Sequence, residues 1–156
     1  MNKVAYSEST LKYGEEDALE YRFIHPVGLR WRCTNCGACC RNPEDRDRRI
    51  LLLPTDISRL RGVIESEFYN TVEGREPFVA EMVKSDGKCV FLGADGCEIY
   101  DNRPLICRTY PFWIERIDQS FIFRVDEDCP GLGKGERLGE RFFRKLLKEC
   151  LSNIGI

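Results

Sequence analysis

The stretch Cys33-Thr-Asn-Cys36-Gly-Ala-Cys39-Cys40 places four cysteines within eight residues. A thiolate is a soft, strongly donating ligand, and two-residue spacers let neighbouring sulfurs converge on one centre. Gly37 lets the backbone turn tightly around such a centre. This density predicts a cysteine-ligated metal site, although it says much less about what the metal does.

Five further cysteines lie outside this stretch, which gives nine in all. A disulfide framework is typical of secreted chains with an even count, and the N-terminus has no apolar signal-peptide core, so we expect metal-binding thiols. Cys150 falls on the apolar stripe of a predicted helix, four residues after Leu146, which indicates a buried structural thiol. The predicted metal ligands are the other eight: Cys33, Cys36, Cys39, Cys40, Cys89, Cys97, Cys107 and Cys129.

Length and composition predict one globular domain. The chain has 156 residues, of which 42% are hydrophobic and 32% are charged, and its net charge is −2. No overall field therefore recruits nucleic acid or an anionic membrane surface, and no apolar run approaches the ~20 residues that span a bilayer. We expect a cytoplasmic protein that forms a single domain over 1–156, with a metal-binding core over about 30–130 and with no nucleic-acid or membrane partner.

The segments around the cysteines predict a small, compact α+β fold with loops gathered around the metal. Apolar residues at helical spacing predict two main helices, one over about 55–70 with Thr55 as its N-cap and one over about 136–151. Arg103-Pro104 begins a short turn or helix that carries Cys107. Two hairpins are also predicted, one that pairs 89–92 with 97–100 and one that pairs 113–117 with 121–125.

The remaining segments are expected to be connections. Tyr21–Ile24 is strand-like and precedes a turn over 25–28 that contains His25. The charged stretch 42–49 is expected to be a solvated loop. The glycine-rich stretch 131–135 is expected to be a flexible turn that carries Cys129 into position.

The cysteine spacing favours an iron–sulfur cluster of the 4Fe–4S type, and zinc stays open. Cys33-x-x-Cys36-x-x-Cys39 has the spacing of bacterial ferredoxins, in which a cysteine also precedes proline, as Cys129-Pro130 does. Zinc ribbons usually offer two C-x-x-C arms, whereas 7, 9 and 21 residues separate the later cysteines here. Because Cys39 and Cys40 are adjacent, their side chains point differently, which favours interleaved sites over one site for each group of four cysteines.

These motifs together resemble a known family. Cys33-x-x-Cys36-Gly-x-Cys39-Cys40 is followed by Cys89-Val-Phe-Leu, Gly96-Cys97-Glu-Ile-Tyr100, Arg103-Pro104 and Cys107-Arg108-x-Tyr110-Pro111-Phe112. Over roughly residues 30–130, the set is similar to the YkgJ-like C-x-x-C-x-x-C-C cysteine cluster proteins. The resemblance implies zinc or iron chelation. Relatives include flagellin lysine N-methylase, a larger protein associated with an iron–sulfur cluster and with methyl transfer from S-adenosylmethionine.

Two arginines of these motifs, Arg103 and Arg108, are expected to lie beside the metal centre. A centre held by four thiolates is anionic, so a nearby guanidinium offsets its charge and hydrogen-bonds to sulfur or to a bound anion. Both are therefore predicted as cofactor-binding residues.

Three functions are consistent with these observations. The favoured one is a metal-binding protein with an iron–sulfur cluster that serves redox chemistry, cluster handling or modification of a partner protein. The alternatives are a protein-lysine methyltransferase-like enzyme that uses S-adenosylmethionine, and a zinc-binding structural or interaction module. No nucleophilic Cys/His pair is indicated, because the single histidine, His25, lies far from the predicted ligands in sequence. Whether the protein is an enzyme therefore stays open.

Overall fold

The computed structural model describes residues 4–34 and 36–155. In chain order, its strands are β1 (Ala5–Tyr13), β2 (Leu19–Val27), β3 (Arg30–Trp31), β4 (Leu51–Leu52), β5 (Tyr69–Thr71), β6 (Ala80–Met82), β7 (Lys84–Ser85), β8 (Lys88–Cys89), β9 (Leu92–Gly93), β10 (Gly96–Cys97), β11 (Phe112–Ile117), β12 (Ser120–Val125) and β13 (Leu132–Arg137). Its α-helices are α1 (Pro54–Arg61), α2 (Leu105–Thr109) and α3 (Glu140–Ile154), and 3₁₀ turns cover Glu15–Asp17, Ala38–Cys40 and Tyr100–Asn102.

The chain divides into two compact units. The first contains the described residues of Met1–Thr34 and Pro111–Leu151, and the second contains those of Asn35–Tyr110 and Ser152–Ile156. Each unit has its own hydrophobic core. The mixture of helices and short sheets is the predicted α+β class, whereas a single domain over 1–156 stays a prediction.

The first unit is built on a four-stranded sheet in the order β1-β2-β12-β11. β1 and β2 are antiparallel neighbours, as are β11 and β12, whereas β12 runs parallel to β2 with Phe121 opposite Phe23. Inward-facing aromatic residues of the sheet form one core with α3, and Phe112 meets Phe143 at 5.2 Å between ring centroids. The predicted hairpin around Asp118-Gln119 is confirmed as β11 and β12.

The glycine-rich stretch is a strand, so the prediction of a flexible turn at 131–135 is wrong. Leu132 pairs with Trp31 and Arg137 pairs with Arg30, which extends β13 through residues assigned to the predicted helix 136–151. The helix α3 therefore begins only at Glu140. An added Cβ at Gly131 would lie 2.1 Å from the Arg32 carbonyl oxygen, so this close approach between the two segments requires glycine.

The predicted turn over 25–28 begins too early. β2 continues through His25 and Pro26, and the chain turns at Gly28, where φ is +73°. His25 is buried, with its ring stacked 5.4 Å from that of Phe143. The aromatic surroundings of this histidine explain why a residue assigned to a loop lies in the core of the first unit.

In the second unit, the helix predicted over about 55–70 starts within one residue of its predicted start, whereas its predicted N-cap and its predicted end are wrong. α1 begins at Pro54, whose fixed φ suits the first helical position, and Thr55 is not the N-cap. The helix ends at Arg61, because Gly62 and the β-branched residue that follows it are poor helix formers. The apolar periodicity nevertheless marks burial, since Leu60 and Phe68 are core residues of this unit and the half-buried Ile57 and Ile64 pack against that core.

The sheets of the second unit are small. β6 lies between β4 and β5. The predicted hairpin 89–92 with 97–100 is confirmed only around Ala94-Asp95, where β9 pairs with β10. Cys89 belongs to a different hairpin, β7 with β8, because Asp86-Gly87 adopts positive φ values that suit a two-residue turn.

No helix in the described part of the chain combines the length and the apolar character that are needed to cross a membrane.

Candidate metal centre

The 3₁₀ turn Ala38–Cys40 positions the adjacent cysteines of the motif. Gly37 precedes it in the left-handed region with φ +75°, as predicted for a tight turn, and its carbonyl accepts a hydrogen bond from the Cys40 amide at 3.0 Å. An added Cβ at Gly37 would lie 3.1 Å from the Leu92 side chain. This turn leaves Cys40 buried and Cys39 half-buried.

Three later cysteines come from short, locally specified elements of the same unit. Cys89 ends β8, Cys97 ends β10, and Cys107 is the third residue of α2. Cys40 and Cys89 are members of the hydrophobic core of the second unit, and the half-buried Cys39, Cys97 and Cys107 pack against it.

The sulfur atoms of these residues interact with one another. Cys40 is close enough to Cys39 and Cys97 for hydrogen bonding with them to raise its pKa. Cys107 is close enough to Cys39, Cys89 and Cys97 for their charges to affect it. The structure therefore brings together five cysteines that are up to 68 residues apart in sequence, from Cys39 to Cys107.

The sulfurs of this cluster are electrostatically unequal. The hydrogen bond with Cys40 lowers the pKa of Cys39 and that of Cys97, and Arg103 adds to both effects. The pKa of Cys40 is raised in turn, first by its hydrogen bonds with Cys39 and Cys97 and then by burial. Burial is also the main cause of the raised pKa values of Cys89 and Cys107. Cys39 and Cys97 therefore take the thiolate form, which binds metals, most readily.

Arg103 lies at this cluster, and Arg108 contacts the backbone of Arg103. The Arg103 guanidinium donates to the carbonyl oxygens of Tyr100 (2.9 Å) and Cys107 (3.5 Å), and it stabilises the charged forms of Cys39, Cys97 and Cys107. Arg108 donates to the carbonyl oxygen of Arg103 at 3.1 Å and to Asn153 Oδ1 at 3.3 Å. The hydrogen bond from Arg108 to the Arg103 carbonyl oxygen thus supports the backbone that carries Arg103.

The other cysteines have different surroundings. Cys36 is exposed, and Cys33 is exposed at the end of the N-terminal segment of the first unit. Cys129, in the first unit, is half-buried, and its sulfur accepts a hydrogen bond from the Trp31 indole N–H at 3.4 Å. Cys150 is buried on α3, as predicted. All nine cysteines are among the described residues, and none of them forms a disulfide there.

The donor set of the five-cysteine cluster fits a soft metal ion or an iron–sulfur cluster. Among the described residues, no group of three or more His, Cys, Asp or Glu side chains has its donor atoms already arranged for a metal ion. Yet the Cys40 thiol contacts two other sulfurs, two of the five thiols are favoured as thiolates, and a guanidinium offsets their charge. These are the ligand type and the local charge that such centres require.

Sequence reasoning missed three residues that shape these surroundings. Arg48 was placed in a solvated loop, but it is half-buried over the Tyr110 ring (4.9 Å) and lowers the pKa of Cys39. The fully buried Asp56 was treated only as part of a helix. Trp31, two residues before Cys33, donates to Cys129. The sequence around Arg48 and Asp56 does not indicate that Arg48 is half-buried or that Asp56 is buried. Trp31 could have been noticed from its position two residues before Cys33.

Comparison with known proteins identifies the family of the chain. A family model named CxxCxxCC, described as "Putative zinc- or iron-chelating domain", matches residues 32–130, which include the eight motif cysteines. A relative from Methanocaldococcus jannaschii, the "Uncharacterized protein MJ0661", is 26% identical over 142 residues, which cover 85% of this chain and 74% of the relative. No solved structure gives a significant match. The family match covers more than half of the chain, so this protein belongs to the CxxCxxCC family of zinc- or iron-chelating domains.

Proposed function

We propose that the cluster formed by Cys39, Cys40, Cys89, Cys97 and Cys107 is the core of the metal centre of this protein. The observation that carries the proposal is the convergence of the Cys39-Cys40 pair with three cysteines that lie about 50 residues or more further along the chain. Packing alone does not require thiols from distant parts of the chain to lie together. A metal bound by thiolates does require it.

An iron–sulfur cluster, of the 4Fe–4S type, is the centre that we favour. Five thiols exceed the four that a tetrahedral zinc ion takes, and Cys36 precedes Cys39 by only three residues. A 4Fe–4S cluster also takes four cysteines, so the number of thiols is consistent with interleaved sites, and it is the ferredoxin spacing of Cys33, Cys36 and Cys39 that favours iron–sulfur over zinc. Cys33, Cys36 and Cys129 remain proposed ligands on the strength of their spacing in the motif.

The role that we propose for this centre is redox chemistry, cluster handling or modification of a partner protein in the cytoplasm. The buried surroundings of Cys40 and Cys89 limit access of water to their sulfurs, and nearby guanidinium charge from Arg103 favours the more negative state of a thiolate-bound centre. Both features influence the reduction potential of a cluster, which favours redox chemistry among these three roles.

Metal and sulfide analysis of the full chain, purified without oxygen, tests the proposal. We expect iron and acid-labile sulfide in comparable amounts, together with a broad visible absorbance that dithionite bleaches. Cys40→Ser should lose that absorbance, whereas Cys150→Ser should keep it, since Cys150 is buried on α3 and is not one of the five clustered cysteines.

The same experiment separates the alternatives. Stoichiometric zinc without sulfide, in a colourless protein, would replace the iron–sulfur proposal with a structural or interaction module. A protein that holds neither metal after reconstitution would contradict the proposed metal centre. The methyltransferase-like alternative rests on the family resemblance alone, and binding of S-adenosylmethionine in equilibrium dialysis is the measurement that would favour it.

A further inference from the structure

The joint between α1 and α2 contains a fully buried acidic residue, Asp56. Its side chain accepts two backbone hydrogen bonds, from the Leu53 amide at 2.9 Å and from the Leu105 amide at 3.1 Å. The first bond closes the N-terminus of Asp56's own helix, α1. The second bond reaches the first residue of α2, 49 positions along the chain. One side chain therefore joins the starts of two helices.

The helix α2 depends on this outside contact. It has five residues, which is too short for stability on its own, and its N-cap is Pro104, which makes no side-chain capping bond. The Leu105 amide is one of the donors that the start of a helix leaves without an intrahelical partner. Asp56 supplies from α1 the acceptor that a capping residue of α2 would otherwise provide.

Arg59 completes the joint on the same turn of α1. Its guanidinium group lies 3.5 Å from Asp56 Oδ1 and donates to the carbonyl oxygens of Arg103 (2.7 Å) and Asn102 (3.4 Å). The pair thus holds the backbone from residue 102 to residue 105. That backbone carries Arg103, whose guanidinium donates to the Cys107 carbonyl oxygen, and it leads directly into the turn of α2 that presents Cys107.

We propose that Asp56 is the positioning residue that, together with Arg59, sets Cys107 and Arg103 at the candidate metal centre. This inference rests on the proposed function for its consequence in metal binding, but the positioning itself is a property of the chain. Loss of the acceptor would leave the Leu105 amide buried without its partner and would release the first turn of α2. Cys107 would then move relative to Cys39, Cys89 and Cys97.

The test compares alkylation rates of individual cysteines in the full chain by peptide mass spectrometry. Asp56→Asn keeps the shape of the side chain but replaces an acceptor oxygen with a donor. We expect the alkylation rate of Cys107 to rise about tenfold and that of the buried Cys150 to stay unchanged, with chelator competition showing a loss of metal affinity of similar size. Asp101→Asn is the matched control, because Asp101 is exposed and lies four residues before Leu105.

The ratio of the two alkylation rates decides the inference. Equal acceleration of Cys107 and Cys150 would mean general destabilisation and would overturn the positioning role, as would no change at either residue. If Asp56→Asn does not fold, Arg59→Lys decides instead, since it keeps the charge but loses the forked contacts with residues 102 and 103. A wild-type protein without metal would remove the proposed function, while a selective change at Cys107 would still support the positioning role of Asp56.

Discussion

At the scale of single residues, Cys40 is the buried thiol whose pKa is raised by hydrogen bonding with both Cys39 and Cys97. We expect Cys40→Ser to lose the metal and with it the folding free energy that metal binding supplies, which reaches roughly 10 kcal/mol in small structural sites. Cys150→Ser should keep the metal and lose only about 1–3 kcal/mol from a buried hydroxyl. Metal content and thermal unfolding of both variants provide the measurement.

Equal metal loss in the two variants would contradict this prediction, because it would make Cys150 as important to the centre as Cys40. Retention of metal in both would mean that Cys40 is a packing residue among the true ligands. Cys40→Ala then distinguishes lost coordination from an unsatisfied hydroxyl, since alanine introduces no polar atom.

Arg103 and Arg108 are both predicted to bind the cofactor, which stays a prediction, and their contacts in the structure differ. Arg103 favours the thiolate forms of three cysteines, whereas the described contacts of Arg108 are with the Arg103 carbonyl oxygen and Asn153. We expect Arg103→Gln to speed metal loss to a chelator by about 10–100-fold. Arg108→Gln should have a smaller effect on the same rate. A larger effect for Arg108 would show that its contacts matter more than the charge of Arg103.

Trp31 supplies a residue-scale prediction for the first unit. Its indole N–H donates to the Cys129 sulfur at 3.4 Å, and its ring packs against Phe112 at 5.9 Å between centroids. Trp31→Phe removes the donor and keeps much of the aromatic contact. We expect faster alkylation of Cys129 with little change in the thermal unfolding midpoint, measured against Trp113→Phe, which alters an exposed ring on β11. An unchanged rate at Cys129 would show that the hydrogen bond does not protect the sulfur.

At the scale of secondary-structure elements, the pairing of β13 with β3 depends on Gly131. Because an added Cβ there would lie 2.1 Å from a backbone oxygen of Arg32, Gly131→Ala must push two backbone segments apart. We expect a loss of about 1–3 kcal/mol in unfolding free energy, typical of overpacking. Gly139→Ala is the control, since nothing lies within 4 Å of its added Cβ. Similar unfolding curves for the two variants would contradict the close approach.

The first half of the second unit shows why helix length was overestimated from sequence. Ile57, Leu60, Ile64 and Phe68 repeat at helical spacing, and all four contribute to one core. Only the first two lie in α1, because the carbonyl oxygen of Phe68 accepts a hydrogen bond from Val83, a partner that no local pattern reveals. Apolar spacing predicted burial correctly, whereas the ends of the helix were decided by long-range pairing and by Gly62.

At the scale of the whole molecule, the cysteine positions were easier to predict than the arrangement of the chain around them. The adjacent Cys39-Cys40 pair favours sites that combine early and late cysteines, which stays a prediction. In the structure, this pair lies near Cys89, Cys97 and Cys107. The division into two units was not foreseen, because segments 1–34 and 111–151 have no shared sequence pattern. Their association depends on β2 pairing with β12, which is a tertiary contact.

This division predicts a local response to metal removal. The five clustered cysteines, which are the proposed core of the metal centre, all lie in the second unit, so loss of metal should weaken that unit first. After treatment with a chelator, we expect amide hydrogen exchange to accelerate in β6 and α2 more than in β2 and β12. Uniform acceleration across both units would indicate that they unfold as one cooperative body. No acceleration would show that metal bound at the cluster does not contribute to the stability of the protein.

The parallel pairing of β12 with β2 also constrains the order of events during translation. The β1–β2 hairpin leaves the ribosome early, but Phe23 meets its partner Phe121 only after nearly 100 further residues have been added. Closing so long a loop is entropically unfavourable while the intervening chain is unfolded, and a folded 36–110 segment shortens the effective loop. If the cysteines of that segment bind metal as they emerge, then metal supply during synthesis sets how quickly the N-terminal hairpin finds the strands that complete its sheet.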